Sequence, residues 1–553
     1  MINWDGRITP FPADLAERYR SAGLWGSSSI GEEFHRVARR DPARCAVVAE
    51  EGSLTYGELD ELTDRLGAGL AGLGLLPGDR VMVQLTNRLQ SVVAWYGLLK
   101  AGLIPVCTLA AHRAHEIGAI SRKVGAVAHL VESAPTPSSF DLISFAIDIR
   151  RDHPTLRHIL TAGASEDSPG VRIEQLIADT DAALARDRVA EIQKIIDPDE
   201  VVAFQLSGGT TGIPKLIPRL HAEYWYNAFA FAHASGWSEQ TRAAHLIPII
   251  HNAGISCALH AVHSVGGTLI LATAVLDQAL ALMARERATD ALIGHGHFSV
   301  VDHERFAEGM TSMRRVLLSG AKVPPRVFEA FERQGVWAGQ TFGMGEGLFT
   351  MSTPTATTEN RLQTVGVPIS SLDEFRVLEP GTESEVEDGA VGEFVCRGPY
   401  TIHGYFDAPE INAASFTSDG FYRTGDLVAV RQLGGERGIA IEGRLKDLIN
   451  RGGEKISAEE VEGLLLRHSG IVGAALVAMP DERLGERACA YLVAAREPLT
   501  LDDVRMHLDA LSVAKFKWPE RLEWVSSLPM TPVGKVDKKQ LRARAAEATL
   551  TAR

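Results

Sequence analysis

Cysteine is scarce in this chain and does not pair: five residues, Cys45, Cys107, Cys257, Cys396 and Cys489, are scattered, odd in number and without C-x-x-C spacing. That argues against a disulfide framework and against a zinc site, and it fits a reducing cytoplasm. An excess of positive charge is also missing. The 56 basic residues are outnumbered by 70 acidic ones, and a net charge of -14 works against attraction to phosphate backbones and anionic lipid. No nucleic-acid partner is expected, so any anionic substrate has to be held by locally placed donors. Long hydrophobic runs are absent too. The N-terminus lacks an uninterrupted apolar stretch of signal-peptide type, and the most apolar run, Thr268 to Ala284, is broken by Asp277 and Gln278. No membrane span, repeat or low-complexity tract is expected.

What is present is the usage of a folded chain with many turns, at 45% hydrophobic and 23% charged residues with 52 Gly. A length of 553 residues, at about 150 per domain, calls for more than one core. Short Val- and Ala-rich segments, Cys45–Glu50, Arg80–Leu85 and Ala126–Glu132, alternate with helix-period stretches such as Thr55–Leu75. That alternation predicts an α/β fold with parallel-rich sheets. Residues 133–141 and 353–360 have loop composition, and 378–394 reads as turn-rich with strands. Charged and Gly-rich residues from Glu442 to Lys455 mark a boundary, dividing the chain into 1–445 and a smaller C-terminal domain, 446–553.

A phosphate-loop candidate follows the strand-like Val201–Gln205. In it Gly208 and Gly209 allow close backbone approach, Ser207, Thr210 and Thr211 supply donors, and Lys215 adds charge. It is not a Walker A loop, because Pro214 precedes the lysine and Leu216 follows it. By itself the segment reads equally as a plain Gly/Thr turn.

Its company is more specific. Thr341-Phe-Gly-Met-Gly-Glu-Gly347, Tyr422-Arg-Thr-Gly-Asp426, Gly443-Arg-Leu-Lys-Asp447 with Asn450–Lys455, and Pro532-Val-Gly-Lys535 follow in order. Together with the loop they resemble the adenylate-forming superfamily of acyl- and aryl-CoA synthetases, luciferases and peptide-synthetase adenylation domains. Phe11–Trp25, Ala110–Ile117, Arg397–Asp426 and Ile449–Glu462 bring the chain closest to stand-alone aryl-acid AMP ligases of the 2,3-dihydroxybenzoate and salicylate type, which serve siderophore synthesis.

The resemblance implies ATP and Mg2+ as cofactors, and a large multi-subdomain N-terminal domain under a small mobile α+β C-terminal lid. A carboxylate attacking the α-phosphate brings two anions together, so cationic and donor groups must offset the repulsion. By similarity Glu346 is the magnesium ligand. Asp426 holds the ribose hydroxyls, and Arg444 contacts ribose or phosphate. Gly320 and Ala321 form the adenine-side loop, and Thr341, Phe342 and Gly343 join the nucleotide site. Lys535 is the adenylation catalyst, Lys446 the hinge, and Gly452 and Gly453 line the thiol's path once the lid has rotated. Taken singly, Glu346 could be a surface residue, Asp426 a turn residue, Arg444 an ion-pair partner and Lys535 a solvated lysine of a basic tail.

For the acid, the resemblance assigns Asn252 to an ortho-hydroxyl and sets His251 near the acyl site. Cys257 stands where salicylate enzymes tend to carry Cys, although a small core residue is an equal reading. Ala253, Gly345 and Phe349 depart from the Tyr, Ala and aliphatic residues usual there. A reshaped cavity makes a substituted, bicyclic, amino-bearing or aryl-propenoic acid as credible as salicylate. The expected acceptor of the activated aromatic carboxylic acid is a phosphopantetheinylated carrier protein. Coenzyme A, an amine, or activation of nitrite are the alternatives. A non-catalytic sensor would not need Glu346, Asp426, Arg444 and Lys535 together.

Overall fold

The computed structural model describes residues 2–133, 140–207, 213–320, 322–452, 454–511, 513–531 and 535–551. Among these, the apolar segments form buried strands of two parallel-rich sheets. In the nine-stranded sheet, Trp337–Met344, Arg315–Ser319, Asp290–Gly294, Arg242–His245, Thr268–Leu271 and Cys45–Ala49 lie side by side and run parallel. Antiparallel strands close its two edges. The seven-stranded sheet is parallel through Ile104–Cys107 and Val201–Leu206 and ends in one antiparallel strand, Leu216–Leu220.

Between these sheets lies the main apolar cluster, built on helices Tyr56–Gly72, Leu89–Lys100 and His221–Ala234. Strands buried on both faces read as continuous apolar runs, which is how Cys45–Ala49, Arg80–Gln84 and Ala128–Glu132 stand out in the sequence. The α/β expectation holds. Residues 353–360 are not all loop: Thr357 accepts a hydrogen bond from Asn360 N and caps the helix Thr358–Gln363, an N-cap effect that outweighs the loop composition.

A four-stranded antiparallel sheet follows, ending in the hairpin Tyr422–Leu433 and Glu436–Arg444. Gly434 and Gly435 turn it with φ of +60° and +83°, a pair of left-handed residues that a tight hairpin demands. The hairpin's register sets Asp426 directly opposite Arg444. The strands after Arg444 belong to one further sheet, comprising Glu454–Ser457, Leu448–Arg451, Gly485–Ala494, Ile471–Asp481 and Arg521–Trp524. Its helices touch the rest of the chain: Ser457 Oγ donates to the carbonyl of Glu442, and Lys322 Nζ lies 3.3 Å from where a Cβ on Gly463 would stand. No helix among the described residues is long and apolar enough to cross a membrane.

Candidate active site

Parallel sheets place ligands in the crevice beyond the carboxyl ends of their strands. Here the strand Arg315–Ser319 ends at Gly320, Asp290–Gly294 at His295, Arg242–His245 just before His251 and Asn252, and Trp337–Met344 at Gly345 and Glu346. Gly320, His251, Asn252, Gly345 and Glu346, all singled out from the sequence, sit at this edge.

Ser207 closes the base of the loop after Val201–Leu206: its Oγ accepts from Lys215 N at 3.0 Å and its own N donates to Lys215 O at 2.9 Å. Gly208, Gly209, Thr210 and Thr211 lie outside the described residues. The Lys215 ammonium stands 3.9 Å above the ring of Tyr405. Burial lowers its pKa, and Glu346 acts in the opposite sense.

Glu346 is 8% exposed, and its Oε1 accepts from Tyr405 Oη at 2.7 Å, with Tyr422 Oη 2.8 Å farther along the same chain of bonds. A surface glutamate does not have such surroundings. Its backbone is fixed as well: Ile402 N donates to Glu346 O, Gly347 has φ of +113°, and a Cβ there would lie 2.2 Å from Tyr400 O. Leu348, with φ of 52°, is a left-handed non-glycine, and such residues concentrate at sites where geometry is over-determined.

Asp426 is buried, and its Oδ1 pairs with Arg444 Nε at 2.8 Å. Burial pushes its carboxyl up, while Arg444 and Lys535 pull it down. Lys535 reaches this group from the C-terminal segment. Its N donates to Thr531 Oγ1 at 3.1 Å, and Val536 bridges Met530. Burial lowers its pKa, Arg444 and Lys446 lower it further, and Asp426 and Glu346 oppose them. Lys446, in the turn Leu445–Asp447, is likewise lowered by burial and by Arg444. Lys215, Arg444, Lys446 and Lys535 therefore share one field with Glu346 and Asp426, and a strongly acidic chain has assembled the local donors an anion needs. Residues 532–534, Ala321 and Gly453 are outside the described residues. Gly452, φ +60°, sits at the turn between Leu448–Arg451 and Glu454–Ser457.

Gly320 needs to be glycine: its φ is +97°, and a Cβ would meet His295 Nδ1 at 2.7 Å. Thr341 is buried with its Oγ1 donating to Thr350 O at 2.7 Å, and Phe342 packs edge-on against Phe394.

On the other flank, His251 Nδ1 accepts from Ala253 N at 3.2 Å, which leaves the ring proton on Nε2. Burial and the Lys535 charge hold its pKa down to about 4, so the imidazole is neutral at neutral pH. Asn252 is 5% exposed and its Oδ1 accepts from Tyr224 Oη at 2.9 Å. Cys257 lies in a π-helical stretch, Ile255–Leu259, inside the main apolar cluster, where burial pushes its thiol up to about 12. Ala253 packs against that cluster. The Gly345 carbonyl accepts from Arg219 Nη1 at 2.8 Å, and Ile217 Cδ1 stands 2.8 Å from where a Cβ would be.

Phe349 packs edge-on against Phe231 and tilted toward Tyr400, and its Cδ1 lies 2.2 Å from the site a Gly343 Cβ would occupy. The two positions are thus matched. Gly343→Ala is expected to cost about 1–3 kcal/mol by overpacking, and Phe349→Leu added to it should restore most of the loss. Denaturant unfolding of the single and double variants checks this; a double variant no more stable than Gly343→Ala would mean the ring is not the obstacle.

Sequence reading missed five residues here. Tyr405 and Tyr422 fell inside segments already singled out. Gln205, Arg219 and Tyr224 carry no local signal, because an arginine in a strand is ordinarily exposed and this one is fully buried. As for a metal, no group of three or more His, Cys, Asp or Glu among the described residues could hold an ion. One buried carboxylate, Glu346, nevertheless suits Mg2+, which is characteristically bound through one or two carboxylates and the substrate's phosphates.

Known proteins resemble the chain along nearly its whole length. The model of the AMP-binding enzyme family matches residues 34–406, and that of the AMP-binding enzyme C-terminal domain matches 460–535. A salicyl-AMP ligase / salicyl-S-ArCP synthetase of Mycobacterium tuberculosis is 37% identical over 550 residues, 97% of this chain and 94% of that protein. A 2-hydroxy-7-methoxy-5-methyl-1-naphthoate–CoA ligase of Streptomyces carzinostaticus is 36% identical over 547 residues, 97% of each. The apo structure of Mycobacterium smegmatis MbtA aligns with a TM-score of 0.74 at 35% identity, covering 98% of this chain and all of that one.

Proposed function

The chain belongs to the AMP-binding enzyme family, and from that premise we propose that it activates an aromatic carboxylic acid with ATP and passes the aryl group to a phosphopantetheine thiol of a carrier protein. A carboxylate oxygen of the acid bonds to the α-phosphorus as the bond to pyrophosphate breaks. The thiol sulfur then bonds to the acyl carbon, and AMP leaves.

The observation that carries this reading is one group of charges: Asp426 pairs with Arg444 at 2.8 Å, and Lys535 and Glu346 act on the same carboxyl. In it the Lys535 ammonium lies between carboxylate and α-phosphate oxygens and offsets the charge that builds there. Asp426, held by Arg444, receives the ribose hydroxyls, and Lys215 and the loop after Ser207 receive the outer phosphates. Gly320, Ala321, Thr341, Phe342 and Gly343 border the nucleotide. Magnesium, when bound at Glu346, supplies charge neutralisation to the phosphate oxygens. Neutral His251, Asn252, Ala253, Cys257, Gly345 and Phe349 bound the acid.

A division at 445/446 is supported by the separate sheet after Arg444, with Lys446 as the hinge that would withdraw Lys535 and bring in Gly452 and Gly453 for the thiol step. Coenzyme A as acceptor is a second reading, favoured by the naphthoate relative.

Pyrophosphate exchange measured across a panel of aromatic acids should be acid-dependent. Absence of exchange with every one of them would sink the proposal. Product analysis with free coenzyme A and with a carrier protein separates the two acceptors.

A further inference from the structure

The nine-stranded sheet has a second end. Arg315–Ser319 and Trp337–Met344 run toward Gly320 and Gly345, and their first residues, together with Asp290 at the start of Asp290–Gly294, line a cavity of about 220 Å³ at the opposite edge. Five strand residues at about 3.3 Å each span roughly 16 Å, so the cavity lies a strand's length from the proposed reaction site. Buried rings fill the space toward the acid-facing residues. Trp237, on the cavity wall, meets Phe231 edge-on at 5.7 Å, and Phe231 meets Phe349 edge-on at 5.9 Å.

The walls are mainly apolar, with the indoles of Trp237 and Trp337 joined by Leu317, Met351 and Ala291. The Trp337 ring lies back over Gly339, where a Cβ would stand 2.4 Å from its Cη2, so the glycine makes room for the indole. The polar groups are few and mostly spent. Asp290, 1% exposed, accepts at Oδ1 from Trp237 Nε1 at 3.1 Å and from Arg315 Nε at 2.8 Å, and at Oδ2 from Thr289 Oγ1 at 2.7 Å. Arg315 Nη2 donates to Gly236 O at 3.2 Å, and Ser235 Oγ to Met351 Sδ at 3.6 Å. Ser352 Oγ accepts from Gln340 N at 2.9 Å. Among the described residues, Arg315 Nη1 and the Ser352 hydroxyl proton find no acceptor.

We propose that this cavity binds a small uncharged aromatic molecule carrying a carbonyl oxygen, of the aryl amide or aryl ester class. Size sets one ring: an apolar cavity of about 150 Å³ takes up benzene, and 220 Å³ leaves room for one substituent. The indoles favour an aromatic ring over an aliphatic one, because ring pairs gain attraction beyond the area they bury. Charge decides the substituent. The Arg315–Asp290 pair is neutral as a unit, so an entering carboxylate would lose its hydration without meeting a net cation. A carbonyl oxygen has two lone pairs, one for each unspent donor.

The test uses the full chain and needs no turnover, so it stands or falls separately from the proposed adenylation. 4-Fluorobenzamide, followed by fluorine NMR, should bind saturably with a Kd of about 1 mM or tighter, as suits about ten non-hydrogen atoms. Cyclohexanecarboxamide should displace it about threefold or more less well. Ala234→Leu, at the last residue of His221–Ala234 on the cavity wall, fills the space and should weaken 4-fluorobenzamide by about tenfold or more. The same variant should leave 4-fluorobenzoate binding unchanged, since that acid uses the other pocket. Should Ala234→Leu melt early, Trp337→Leu, which removes one indole, carries the same expectation. Three results overturn the inference: no saturable binding of 4-fluorobenzamide below about 10 mM, affinity untouched by Ala234→Leu in a chain that melts normally, or affinity lost in Ala253→Leu instead, which would put the probe in the acid pocket.

Discussion

Replacing Lys535 by alanine is expected to lower acid-dependent pyrophosphate exchange by about 10²–10³-fold, the usual cost of deleting one preorganised donor aimed at developing charge, with ATP binding little changed. Burial lowers the pKa of this ammonium, and Arg444 and Lys446 lower it further. A cation in that position is worth more than at the surface, because the surrounding medium screens it less. ATP keeps Lys215, Arg444 and Asp426, so ground-state affinity should survive. Because the Lys535 pKa is lowered, its protonated form is lost earlier than for an ordinary lysine as pH rises. The kcat/KM profile should therefore show an alkaline limb below the usual lysine range of about 10.4, absent from the residual activity of the alanine variant. Exchange rates equal to wild type in Lys535→Ala would remove the lysine from the mechanism.

Much of the scaffold could be read from the chain, for a physical reason. Strands buried on both faces cannot hide their apolar runs, and the helix Tyr56–Gly72 falls within the helix-period stretch Thr55–Leu75. Asp426 and Arg444 were each legible as functional or structural residues, but only the hairpin register shows them to be partners, and the two readings of Arg444 as ion-pair partner and as site residue turn out to be compatible. What could not be read is what distance in the chain conceals. Arg219 reaches Gly345 and Tyr400 across most of the nucleotide-binding segment, and Phe349 is intelligible only with Gly343. The side chain nearest Gly345, a glycine unexpected from the resemblance, is Ile217 on a strand of a different sheet. Packing between sheets leaves no local periodicity, so these pairs belong to the fold rather than to any window of sequence.

Glu346→Gln is the second substitution expected to be severe, with exchange falling by about 10²-fold or more, and it differs in kind from the loss of Lys535. Glutamine retains an oxygen for Tyr405 Oη to donate to, so the buried chain Tyr422–Tyr405–346 survives and the fold should melt near its normal temperature. What disappears is a full negative charge beside Lys215 and Lys535, and the hard oxygen pair suited to a magnesium ion. Glu346 raises the pKa of both lysines; without it both fall further. Protonated Lys535 is then lost at still lower pH, and the alkaline limb of kcat/KM should move toward neutrality, the opposite of what a generic loss of activity would do to the profile. Higher magnesium should recover part of the rate at fixed pH by mass action alone. If Glu346→Gln keeps wild-type exchange, or if it loses activity with its alkaline limb unmoved and no response to magnesium, then this carboxylate neither shares the Lys535 field during catalysis nor holds the metal, and the convergence seen at the strand ends is structural.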